Sequence, residues 1–165
     1  MRKLYLIRHA KSSWKNNGLS DIERPLNKRG KKDAPFMGRL LNNSGIKPGM
    51  MVSSPALRAF KTAKAIAEEI NFPVEKIIKN NLIYEADVNE LLDIVKNFPD
   101  EFEIIMMFGH NPGFTLLNNF ITDKFIDNVV TCGVVEIEFS ISSWKEVGEN
   151  SGKVISYEYP KKYIT

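Results

Sequence analysis

Short apolar runs that stop abruptly at polar or glycine residues limit the fold of this chain more than any other feature. Leu4-Tyr5-Leu6-Ile7 gives way to Arg8-His9, and Ile104-Ile105-Met106-Met107-Phe108 gives way to Gly109-His110-Asn111-Pro112-Gly113. A run of this length without polar alternation fits a strand buried on both faces, the kind found in parallel sheets covered by helices. Open α/β sheets place their ligands at the ends of such strands. The two histidines of the chain, His9 and His110, are therefore expected to meet at one sheet rim.

The segments around these runs alternate between strand and helix patterns. Residues 3–8 make the first strand, and a polar loop through Ser12, Ser13 and Trp14 leads past Arg24-Pro25-Leu26 to Asn27, a candidate N-cap. Ala34, Met37, Leu40 and Leu41 have helical spacing over residues 31–41, with Pro35 expected in the first turn and Gly45 as the stop. Met50-Met51-Val52 is a short strand. Ser53-Ser54-Pro55 reads as a helix start, Ser54 capping and Pro55 in the first helical position, with the helix running to about Ile70. Next come strand-like Ile77-Ile78, a helix over 89–98, a strand over 103–108 and a helix over 112–122. Two β segments, 129–142 and 153–159, are expected to pair antiparallel across the turn at Gly148–Gly152. This order predicts a three-layer α/β/α sandwich with a mostly parallel central sheet, in a single domain over residues 1–165.

With 165 residues, 43% of them hydrophobic, the chain has enough apolar surface to build a core without disulfides or metal. A formal charge of +3 is too small and too spread to argue for nucleic acid or membrane binding, although it suits an anionic substrate. No apolar stretch approaches the ~20 residues that cross a bilayer, and Met1-Arg2-Lys3 leads straight into a strand without a cleavage signal. A single cysteine, Cys132, agrees with a reducing compartment. The expectation is a soluble, cytoplasmic monomer without cofactor. Zinc is not expected, because two histidines and one cysteine offer too few ligands.

Arg8-His9 sets a fixed positive charge beside an imidazole at the sheet rim, a pair suited to phosphate. The guanidinium grips phosphate oxygens through its fork, while a neutral imidazole nitrogen can attack phosphorus and carry the phosphoryl group. Arg58 falls in the first turn of a helix and adds a second grip. His110 would stabilise the transferring oxygens, and Glu85 is the carboxylate expected at the rim as proton donor, with Asp21, Glu23 and Asp87 as alternatives. Cys132 does not fit a cysteine phosphatase loop, since the residue six positions later is Glu138 rather than arginine. Trp14 and Trp144 are read as packing residues.

Taken together, Leu4–Trp14 with Arg8-His9-Ala10 at its centre, Arg24-Pro25-Leu26-Asn27, Ser53–Ala59 and Gly109–Gly113 resemble, in order, the motifs of the histidine phosphatase superfamily. They look like its small SixA-type phosphohistidine phosphatase branch. Ala10 stands where the superfamily usually has glycine, and Lys15 stands where phosphoglycerate mutase relatives place asparagine. The resemblance implies a phosphoglycerate mutase-like fold and metal-independent hydrolysis through phospho-His9, with Arg8, Arg58 and His110 completing the phosphate pocket. It also implies Arg24 as a substrate contact, Ser12 as a lining residue and Glu85 at the acid position. The implied substrate is a phosphorylated protein such as a histidine-containing phosphotransfer domain of a signalling system. Two rival functions stay open: a broad phosphomonoesterase on small metabolites, and a non-hydrolytic phosphate-binding or phosphotransfer module.

Overall fold

Six strands and four helices form the frame of the computed structural model, which describes residues 1–164. In chain order these are β1 (Arg2–Arg8), α1 (Lys28–Asn43), β2 (Met50–Ser53), α2 (Leu57–Glu69), β3 (Ile78–Lys79), α3 (Val88–Lys96), β4 (Ile104–Gly109), α4 (Gly113–Ile121), β5 (Val134–Phe139) and β6 (Gly152–Glu158). The sheet runs in the order β3-β2-β4-β1-β5-β6. The pairings from β3 to β1 are parallel, and β5 runs antiparallel to both of its neighbours. The expected mostly parallel three-layer sandwich is the architecture found.

Alternation along each strand sorts the core into two halves. Tyr5, Ile7, Met51, Met106 and Phe108 face α1 and α2, against Ala34, Met37, Leu41, Ala63 and Ile66. Leu4, Leu6, Val52, Ile105 and Met107 face α3 and α4, against Leu91, Ile94, Phe114 and Leu117. Strands buried on both faces need apolar residues at every position, which is why β1 and β4 read as continuous runs. Trp144 is fully buried on the α3/α4 side and its indole N–H donates to the Phe102 carbonyl at 2.8 Å, so its packing role holds. Among the described residues no helix is long and apolar enough to cross a membrane.

Three local expectations change. Asn27 does cap α1, its side chain accepting the Gly30 N–H, but the helix starts at Lys28, so Pro35 lies two turns inside it. The carbonyl that loses its partner belongs to exposed Lys31, which water can serve. At α2 the helix begins at Leu57 with Ala56 as a cap residue that offers no side-chain bond. Ser54 is therefore not the cap, and its hydroxyl is committed elsewhere. Cys132 is buried, but it precedes β5 in a turn instead of lying within the β segment expected over 129–142.

One glycine is forced by close approach. A Cβ on Gly30 would stand 2.2 Å from the carbonyl oxygen of Lys11, so α1 can pack against the loop after β1 only without a side chain there.

Candidate active site

Neighbouring parallel strands β2, β4 and β1 end at one edge of the sheet, and Ser54, His110 and His9 are the residues that follow them. The two imidazole centroids lie 5.2 Å apart. Backbone bonds fix the His9 segment from both sides. Its N–H donates to the Gly109 carbonyl at 3.0 Å, and the Cys132 N–H is shared between the Arg8 and His9 carbonyls at 3.1 Å each. Cys132 adopts a left-handed backbone, φ 60°, to deliver that N–H, a conformation uncommon for a residue other than glycine.

The state of His9 follows from its neighbours. Nδ1 lies 2.8 Å from the Ala10 carbonyl, which can only accept, so Nδ1 carries the proton and Nε2 keeps its lone pair. Burial lowers its pKa to about 4; the bond to Ala10 opposes this shift, and the charges of Arg58, Arg8 and Arg24 reinforce it. His9 is thus a neutral imidazole at neutral pH, with the Nε2 lone pair unprotonated. Burial, followed by the influence of His9 and Arg58, brings His110 to about 3. His110 Nε2 sits 2.7 Å from Ser54 Oγ, an oxygen that also accepts the Ala56 N–H at 3.2 Å. When Ser54 donates to Nε2, the proton of the imidazole resides on Nδ1, which is buried and has no partner among the described residues. A buried Nδ1–H in that state is available to an oxygen of a bound anion.

Guanidiniums surround this pair. Arg58, the second residue of α2, is buried and donates from Nη1 to the Asp21 carbonyl at 2.8 Å and from Nη2 to Asp21 Oδ2 at 3.0 Å. Arg24 donates to Asp21 Oδ1 at 2.9 Å, to Ser12 Oγ at 2.5 Å and to the Ser13 carbonyl at 3.1 Å. The Tyr84 hydroxyl donates to Asp21 Oδ2 at 2.5 Å and its ring meets His110 edge-on. Asp21, on a short 3-10 turn at Asp21–Glu23, thereby gathers two arginines and a tyrosine. The Tyr84 bond first, then those from Arg24 and Arg58, hold its carboxyl far below the usual carboxylate range. Arg8 donates to the Val129 carbonyl at 3.0 Å and keeps a buried Nε without a partner among the described residues. Arg8, His9, Lys11, Ser12, Trp14, Arg24, Arg58 and Thr131 line one cavity of about 190 Å³. Four cationic side chains on so small a space make an anion cradle with a neutral imidazole in its wall.

Residues 4–103 match the profile of the histidine phosphatase superfamily, branch 1. The chain belongs to this superfamily. A chloroplastic protein of Arabidopsis thaliana is 29% identical over 159 residues, 92% of this chain and 72% of its own length. The structure of the protein histidine phosphatase SixA in complex with tungstate superposes with a TM-score of 0.82 at 16% identity, covering 97% of this chain and 98% of that one. A SixA protein of Agrobacterium tumefaciens gives a TM-score of 0.81 at 24% identity over 96% and 98% of the two chains. The superfamily member described here thus has the phosphoglycerate mutase-like fold that the SixA structures share, and its family makes it a phosphatase.

Of the residues singled out from the sequence, Arg8, His9, Ser12, Arg24 and Arg58 share the cavity, and His110 stands beside it against His9. Glu85 is not brought to this cavity. It is exposed, has a left-handed backbone at φ 58°, and lines a second hollow together with His110, Asp87, Asn89 and Pro112. The carboxylate that reaches the guanidiniums is Asp21. Sequence reasoning passed over Tyr84 and Ser54, whose roles depend on which strand ends lie side by side, and read Trp14 as packing although it is 72% exposed.

Proposed function

We propose that this superfamily member removes a phosphoryl group through a phosphohistidine intermediate on His9, and that its physiological substrate is phosphohistidine on another protein. His9 Nε2 attacks phosphorus in line. The Nε2–P bond forms as the bond from phosphorus to the leaving group breaks, and the leaving group departs with the electron pair. Arg8, Arg58 and His110 Nδ1–H meet the charge on the transferring oxygens. Water then attacks the phosphorus of phospho-His9; the new P–O bond forms as the Nε2–P bond breaks, the electron pair returns to Nε2 so that the imidazole is again neutral with its proton on Nδ1, and both protons of the water leave with the product as dihydrogen phosphate.

One observation carries the substrate reading: the cradle holds no carboxylate free to give a proton. Asp21 is ionised and clamped by three donors, while Glu85 lies outside the cavity that His9 lines, in the neighbouring hollow that His110 also lines. General acid help is worth about 10²–10⁴-fold where a leaving oxygen needs it. A protonated imidazole leaves phosphorus without it. Size supports the same reading, since about 190 Å³ is below the roughly 300–1,000 Å³ of pockets that enclose a whole small ligand. A phosphate displayed on a protein surface fits an opening of that size. A SixA structure of the same fold was obtained in complex with tungstate, a phosphate-like oxyanion, so the fold takes such an anion. The deciding experiment compares kcat/KM for a phosphohistidine-bearing phosphotransfer domain with that for small phosphoesters. A value at least 10²-fold higher for the protein supports the proposal; equal values, or turnover of esters alone, point to the phosphomonoesterase. Phosphoryl transfer with no release of phosphate points to the carrier. Action in a signalling system in the cytoplasm is part of the proposal and rests on the substrate reading.

A further inference from the structure

A second role emerges where the cavity opens. In-line transfer puts the leaving group opposite His9, which directs it out of the small cradle toward the mouth. Among the side chains lining that cavity, Trp14 is the one besides His9 with an aromatic face, and it is 72% exposed. Burial is the usual fate of so large an apolar side chain. The indole is nevertheless held in place, because the Arg24 guanidinium stacks on it with Cζ 3.2 Å from the ring centroid. Arg24 is itself anchored by Asp21, Ser12 and the Ser13 carbonyl. A cation fixed by three partners therefore braces one face of the ring and leaves the rest of it at the mouth.

We infer that Trp14 is a stacking platform for a planar leaving group, and that it makes this phosphatase select phosphoryl groups attached to rings over those attached to aliphatic chains. This deepens the phosphohistidine reading and rests on it, because imidazole is the planar leaving group that reading supplies. The indole face attracts an imidazolium both as a flat ring and as a cation, and Trp is the strongest of the aromatic residues in the latter role. The selection has a separate origin from any preference for a P–N bond. The cradle deals with the bond that breaks, and Trp14 with the shape beyond it.

Four small probes separate the two properties: phosphoimidazole (P–N, ring), phosphoramidate (P–N, no ring), phenyl phosphate (P–O, ring) and glycerol phosphate (P–O, no ring). The readout is the ratio of kcat/KM for ring to non-ring probes within each bond type, measured for the unaltered protein, Trp14→Ala and Trp14→Phe. Aromatic pairing predicts that Trp14→Ala lowers both ratios roughly 3- to 10-fold whatever it does to absolute rates, and that Trp14→Phe restores most of the loss. Ratios that do not move in Trp14→Ala, or a loss shared equally by all four probes, overturn the inference. The phosphohistidine reading fails differently: the unaltered protein would then show no advantage of phosphoimidazole over phenyl phosphate, with the ring ratios intact.

Discussion

At the scale of single residues, Asp21 separates two accounts of the site. If it acted as a general acid, its loss would be felt on phosphoesters and scarcely on P–N substrates. Its contacts assign it instead to holding Arg24 and Arg58 in place. Misplacing such groups by about an ångström costs on the order of 10²-fold. Asp21→Ala is therefore expected to lower kcat/KM by 10- to 100-fold to a similar extent for phosphoramidate and phenyl phosphate, measured in steady state; a loss confined to the ester would identify an acid. Ser54 acts on His110 in a comparable way. Ser54→Ala should convert the single ring tautomer of His110 into a mixture, visible in the imidazole ¹⁵N shifts, while Ser54→Thr keeps one form. How much of the site was readable in advance follows the same division. Arg8, His9, Arg58 and His110 sit at strand ends or in a helix start, positions a local pattern marks. Asp21, Tyr84 and Ser54 matter because of partners 37, 63 and 56 residues away in sequence, and such contacts leave no local trace.

Elements supply the precision that those residues need, and α1 shows how. Its first turn packs on the backbone of the loop that follows His9 and Ala10, with Gly30 against the Lys11 carbonyl. Alanine favours a helix over glycine by about 1 kcal/mol, so Gly30→Ala would stabilise an isolated helix. Here the added Cβ meets backbone, so the substitution is expected to lower the midpoint of urea unfolding and to lower kcat/KM as the loop beside His9 shifts. A rise in the midpoint with unchanged activity would show that the contact is unimportant. Loss of the cap in Asn27→Ala should cost about 1 kcal/mol with much less effect on activity. The sequence located α1 and its cap correctly and misplaced its relation to Pro35, because a proline with an exposed partner carbonyl costs less than the interior rule suggests. The cap assigned to Ser54 failed for a different reason: a serine before a proline and a helix fits the capping pattern, yet the hydroxyl serves His110 once β2 and β4 lie side by side.

For the whole molecule, a site built from buried neutral imidazoles should be visible in stability. Histidine in an unfolded chain titrates near about 6.5, whereas folding lowers His9 to about 4 and His110 to about 3. Between those values the unfolded chain binds more protons, so this contribution is fully present above about pH 6.5 and is lost as pH falls toward 3. The melting temperature is therefore expected to drop from pH 6.5 downward, before carboxylates begin to protonate. His9 and His110 are the only histidines in the chain, so a His9→Asn, His110→Asn double variant should flatten the slope between pH 6.5 and 5; an unchanged slope would contradict the buried neutral state. The alternation of apolar runs and amphipathic segments made the layered architecture legible from sequence, since strands covered on both faces can be little else. The central claim, that phosphate passes through His9 Nε2, is tested most directly by rapid acid-free quench of the protein during turnover of phosphoramidate, followed by peptide mapping by mass spectrometry. The account predicts a phosphoryl adduct on His9 that decays at a rate consistent with turnover and is absent, together with hydrolysis, from a folded His9→Ala variant. An adduct on another residue, or hydrolysis persisting in His9→Ala, would contradict it.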